Sequence, residues 1–198
     1  MLRLFLPVVL LLGVTACSAS GPSESEILKA LSGYTNAKGC ATSVLFKTFP
    51  VKGSFAASNQ GILDAFIHVG LIEKTGGEFA PTARGKAAYD PKVSGFCYTD
   101  HYLVKDVSVV KEEPKSSLPP ALSGAWYVSF KIAPQSVADW AKDPQLLKEA
   151  SLATVETVAG TQQFTVRMAR KVGENKLIIA DPRFSFTPGI HFNMGWSL

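Results

Sequence analysis

The first fourteen residues constrain this chain most, because they decide which part of it folds and in what surroundings. A single positive charge, Arg3, precedes an apolar run over residues 4–14. That run is too short to cross a bilayer as a helix, which takes about twenty residues. Starting behind one basic residue near the initiator, it has the layout of a secretory signal. Reading residues 1–16 as a removable leader leaves 182 of the 198 residues to fold. That is one generous domain or two small ones, with enough chain to bury a core.

The leader ends in Val14-Thr15-Ala16-Cys17, which resembles the lipobox of bacterial lipoprotein precursors. The resemblance implies cleavage before Cys17, lipidation of its thiol, and a mature protein held to a membrane by acyl chains. Ser18 stands where an aspartate would retain an enterobacterial lipoprotein in the inner membrane, so the resemblance favours the outer membrane and a body facing the periplasm. Residues 17–24, small and polar with Gly21-Pro22, have the composition of a flexible tether. No second apolar run approaches spanning length, so membrane contact is expected through the lipid on Cys17.

With Cys17 assigned to lipid, Cys40 and Cys97 remain as an even pair in a compartment that oxidises thiols. A disulfide between them is expected. A metal site is not, because zinc takes three or four ligands at recognisable spacing and neither cysteine has a histidine or second cysteine nearby.

The body is patterned most clearly over residues 58–89. Ser58 or Asn59 can cap a helix with Ile62, Leu63, Phe66 and Ile67 on one face, and Gly70 stops it. Leu71-Ile72-Glu73-Lys74 reads as a strand, Thr75-Gly76-Gly77 as a turn and Glu78-Phe79-Ala80-Pro81 as the return, after which Thr82 caps a helix to Tyr89. This order looks like the third helix, wing and trailing helix of a winged-helix domain. A winged helix normally implies DNA, but the helix over residues 59–69 carries no Lys or Arg and does carry Asp64. Residues 24–90 hold seven basic residues against six acidic. Phosphate contacts need clustered positive charge, so no nucleic-acid partner is expected. The whole chain has 20 basic and 16 acidic residues; loss of Arg3 leaves 19 against 16, a mild +3.

Elsewhere the pattern is coarser. Residues 25–31 offer a helix capped by Ser25 and ended by Gly33, and residues 41–51 a short strand or extended segment. Residues 96–104 and 106–112 read as strands, and residues 114–123 as a proline loop. Residues 125–132 read as the clearest strand, with Trp126, Val128, Phe130 and Ile132 on one face. Ser136 can cap a helix that Asp143-Pro144 restarts toward Leu152, and residues 161–171 and 176–180 pair across a turn. The expectation is an α+β fold: a winged-helix-like unit over residues 25–90, then a mostly antiparallel sheet with one or two helices over residues 91–198. The two units can also form one continuous globule.

Catalytic signatures are sparse. His68, His101 and His191 lack the paired spacing of a metalloprotease helix, and no nucleophile elbow, phosphate loop or dinucleotide fingerprint occurs. No cofactor is expected. Asp100, Asp106, Glu112 and Glu113 could supply an acid and base pair only if the fold gathers them. Near the end, Phe184, Phe186, Phe192 and Trp196 either finish the core or form an exposed patch for a partner. These features point to a lipid-anchored envelope protein that binds a macromolecule, as an assembly or secretion accessory or an immunity or inhibitor protein. The alternative is a small envelope hydrolase acting on glycan or peptide, which would gather His101, Asp100 or Glu112 and a serine around a deep pocket.

Overall fold

The computed structural model describes residues 21–150, 158 and 160–192. Ser23 opens helix α1 (Glu24–Thr35): its hydroxyl accepts from the Glu26 amide while the Glu26 carboxylate accepts from the Ser23 amide, a reciprocal capping box. This corrects the expected cap at Ser25 and stop at Gly33. The box starts the helix earlier, and the buried stripe Ile27, Leu31, Thr35 carries it through a glycine that costs about 1 kcal/mol. Strand β1 (Gly39–Thr42) follows, and Ser43 caps a 3-10 turn, Val44–Lys47, by accepting from the Leu45 amide. Residues 41–51 are thus strand only to Thr42. Consecutive Leu45 and Phe46 are both fully buried, which a turn allows and strand alternation forbids.

Helix α2 (Gly53–Ala57) leads into α3 (Gln60–His68), the hairpin β2 (Ile72–Thr75) and β3 (Glu78–Pro81), and α4 (Ala83–Ala88), which Thr82 caps through the Gly85 amide. The expected helix, hairpin and helix are therefore present in order. Then come β4 (Tyr89–Asp90), β5 (Gly95–Thr99), β6 (Tyr102–Glu112) and β7 (Leu122–Pro134). The expected pair of strands over 96–104 and 106–112 breaks instead at Asp100-His101. Asp106 lies inside β6 as a bulge with φ +52°, its carboxylate 2.7 Å from Lys131 Nζ. The helix expected from Ser136 is only a 3-10 turn, Asp139–Lys142. Asp143 then caps α5 (Pro144–Lys148) with proline in its first turn. The helix stops at Lys148 rather than continuing toward Leu152: Ala150 instead forms a β-bridge with Phe192, and Leu152 lies outside the described residues. Strands β8 (Gln162–Lys171), β9 (Leu177–Ile179) and β10 (Ile190–His191) complete the order.

The architecture is mixed α+β with largely antiparallel sheets, in the orders β10-β1-β5-β4, β2-β3 and β6-β7-β8-β9; β10 pairs with β1 in parallel. Two cores result. The first gathers Phe46, Phe66, Phe96, Leu63 and Phe79 with Trp140, Leu146, Ile190 and Phe192. The second places Ile27 and Leu31 of α1 on Trp126, Val128, Phe130, Val166 and Met168 of the long sheet. The expected division at residue 90 cuts through the first sheet, where Tyr89 pairs with Phe96. It also separates α1 from the sheet it covers. No helix among the described residues is long and apolar enough to cross a membrane.

Candidate functional site

A cleft of about 510 Å³ opens where β1, β10 and the turn over residues 91–94 meet. Each wall has a local cause. Cys40 and Cys97 are joined by a disulfide that ties β1 to β5. Gly95 of β5 comes so close that a Cβ there would stand 2.7 Å from the Ala41 carbonyl oxygen. On the other side Gly189, at φ +107°, lets β10 reach the Cys40 carbonyl, 2.6 Å from where its own Cβ would sit. The Gly189 amide donates to the Tyr102 hydroxyl at 3.1 Å, and that hydroxyl lies 3.0 Å from the Tyr98 hydroxyl. Burial pushes the Tyr98 phenol well above its ordinary range and raises that of Tyr102, so both stay neutral and act as fixed struts behind the cleft.

The parallel pairing sets Thr42 opposite His191, with Thr42 Oγ1 2.9 Å from His191 Nδ1. Ser43 and Ser94 stand beside them, the Ser43 amide donating to the Ser94 carbonyl. Val44 and Val93 line the opening with exposed side chains, and Lys47 adds an exposed ammonium. The hydroxyl and imidazole could exchange a proton. A nucleophile and base of this kind also need a third group to orient the base, and the described lining residues offer no carboxylate. Chemically the site is an apolar lip over hydroxyls, edged by a lysine and an imidazole.

The residues singled out from sequence fall in several places. Cys17 and Trp196 lie outside the described residues. Phe186 and Phe192 are each 8% exposed, the former against Tyr102 in the second core and the latter against Phe66 in the first. Phe184 is half-buried among Tyr34, Phe130 and Phe164. These phenylalanines finish two separate cores, which corrects the idea of one exposed patch. His101 receives hydrogen bonds on its carbonyl from Thr99 Oγ1 and the Gln135 amide at the start of β6. Glu112 ends the same strand, roughly 30 Å away at strand rise. The fold therefore does not gather His101 with Glu112. His68 Nε2 lies 3.4 Å from the Asp143 carboxylate. Glu113 receives a two-point contact from Arg167 at 2.6 and 2.9 Å, and this guanidinium holds its carboxyl below the usual range. No group of three or more His, Cys, Asp or Glu side chains among the described residues is placed to hold a metal ion.

Sequence reasoning missed the cleft. Thr42 and His191 are 149 positions apart, and each merely ends a short β segment. Compared with protein-family models, with curated proteins and with solved structures, the chain matches none of them.

Proposed function

We propose that this is an envelope lipoprotein, acylated on Cys17 and facing the periplasm, that binds a protein partner at the Thr42–His191 cleft. The observation that carries the reading is the composition of the cleft. Exposed Val44 and Val93 suit an apolar side chain of a partner, while Lys47, His191 and the hydroxyls suit a carboxylate and backbone groups beside it. The disulfide between Cys40 and Cys97 agrees with export to an oxidising compartment, since such bonds are rare where thiols are kept reduced. The helix, hairpin and helix over residues 60–88 fit a winged-helix scaffold used for protein contact. An accessory of envelope assembly or secretion and an immunity or inhibitor protein are the two forms this takes, with the outer membrane as its site.

A photo-activated crosslinker placed at Val44 or Val93 in living cells tests the proposal. It should capture one discrete protein, and a crosslinker at Tyr127, on the far sheet, should not. The product should fade in Lys47→Glu. Absence of any product from both cleft positions in correctly exported protein would end this reading.

A further inference from the structure

Gly21 lies against the second core. A Cβ built on it would stand 3.7 Å from Trp126 Nε1 and 3.8 Å from Val109 Cγ2. It lies four positions after Cys17, so even a fully extended chain keeps the two Cα atoms within about 14 Å. An anchor on Cys17 therefore holds a particular part of the body at the membrane.

That part is one end of the long sheet. Glu112, the last residue of β6, pairs with Trp126; Lys171, the last of β8, pairs with Leu122; and β9 begins at Leu177 opposite Arg170. The loop after β6 and the turn before β9 project from the same end. The first core is at the opposite end, where Tyr102 at the start of β6 meets Tyr98. The strand between spans roughly 30 Å.

The side chains at the Trp126 end are unusual for this molecule. Val110 and Val172, 62% and 61% exposed, are the most exposed large apolar residues among those described. Both lie on this half of the sheet: Val110 in the bulge beside Tyr127, and Val172 where its amide donates to Ala121. On the strand ends and turns at this end are Lys111, Lys115, Lys171 and Lys176, all exposed, and Lys29 lies on α1 beside Lys176. With Arg167 and Arg170, this end carries seven basic residues against Glu24, Glu26, Glu112, Glu113 and Glu174. Glu26 is paired with Arg170, Glu113 with Arg167 and Glu174 with Lys171, so the excess falls on lysines. Lys29 and Lys176 also line a recess of about 290 Å³ between α1 and β9 at this end. Exposed apolar tips among lysines, at the point where a short anchor enters, match the chemistry of a headgroup layer.

We infer that the Trp126 end of the long sheet, with Val110, Val172 and the lysines around them, is a docking surface for an anionic bilayer. This rests on the acylation of Cys17 proposed above. The lipid holds the protein, the sheet end sets its orientation, and the Thr42–His191 cleft is presented away from the membrane.

Lysine footprinting of the mature full chain with a membrane-impermeant acylating reagent tests the inference. The protein is compared in vesicles of phosphatidylethanolamine and phosphatidylglycerol and as a water-soluble Cys17→Ser form. Lys111, Lys115 and Lys176 should react about fivefold more slowly on vesicles, while Lys47 at the cleft and Lys52, paired with Glu78 of β3, keep their rates. Mass measurement of the N-terminal peptide from the same sample separates the two readings. An acylated Cys17 with equal rates at all these lysines overturns the docking surface and leaves the anchor standing. An unmodified Cys17 overturns the anchor reading instead. Cys17 is then coupled to a maleimide lipid, and a flat footprint overturns the docking surface as well. Equal protection on pure phosphatidylcholine vesicles overturns the choice of an anionic surface.

Discussion

Around Phe46 the chain builds a core from strands of two to five residues and helices of five to nine. Around Phe130 it builds one from strands of thirteen, eleven and ten residues under a twelve-residue helix. Long antiparallel strands make most of their contacts with the next strand in sequence, so the second core holds together through its ladder. The first core draws its pieces from residues 41 to 192 and has little ladder to rely on. Its cohesion comes from Phe46, Phe49, Phe66 and Phe96 packed ring on ring, and from a covalent tie. The difference predicts two regions that fail in different ways.

The largest effect should come from the aromatic cluster. Phe46→Ala should cost about 3–5 kcal/mol, the usual range for emptying a fully buried phenylalanine site. Amide exchange should then speed up across β1, α3 and β5 before it changes in β7 and β8. Phe130→Ala should cost a similar amount and show the reverse order. If both variants lose protection everywhere together, the two cores are one cooperative unit and the comparison breaks.

Removing the covalent tie comes next. Cys40→Ser with Cys97→Ser should destabilise by about 2–4 kcal/mol in chemical denaturation, because the bond closes a loop of 57 residues in the unfolded chain. The same loss should follow reduction of the native protein. The long sheet should keep its exchange protection, and the cleft, whose floor strand carries Cys40, should lose crosslinking to its partner first.

How far each region could be read from sequence follows the same division. The strand over residues 125–132 and its partner over 161–171 were legible because one face is buried and the other is not, so apolar residues alternate. The helix, hairpin and helix from Gln60 to Ala88 were legible because Asn59, Gly70, Gly76-Gly77 and Thr82 punctuate them. The pairing of Cys40 with Cys97 followed from arithmetic once Cys17 was set aside. Illegible were the parts fixed by distant contacts. Leu45 and Phe46 are apolar neighbours in either a strand or a turn, and only the surrounding rings decide for the turn. His191 gains meaning only when Gly189 carries β10 onto β1. Nothing local to Phe192 or Phe186 tells that they enter different cores.

A smaller effect should separate the regions by acidity. Glu113 has its carboxyl held below its ordinary value of 4.5 by the hydrogen-bonded Arg167. As pH falls past 4.5, the unfolded chain takes up this proton while the folded one still excludes it. The contribution is therefore complete above that pH and is lost as pH drops through the lower folded value. Glu113→Gln should cost about 1–2 kcal/mol near neutrality and make the long sheet less sensitive to acid below pH 4.5 than the parent. Titration of stability against pH checks it. A parallel acid profile in parent and variant would remove the ion pair from this side of the comparison.

The smallest effect concerns the helix that covers the long sheet. Ser23→Ala removes the hydroxyl that accepts from the Glu26 amide and with it half of the capping box, at about 1 kcal/mol. The change falls on the first turn of α1, where Glu26 also bonds Arg170 at 2.6 Å and Arg170 lies over the Trp126 ring. Exchange should quicken in that turn, while Leu31 and Thr35 stay protected by their burial. Because Gly21 leaves the body beside Trp126, loosening this turn also loosens the point at which the anchor enters. Because the sheet end sets the orientation, the protection of Lys111 and Lys176 on vesicles should nevertheless persist, with global stability lower by no more than about 1 kcal/mol. Loss of that protection in a variant that frays only α1 would show that the helix start, rather than the sheet end, sets the orientation on the membrane.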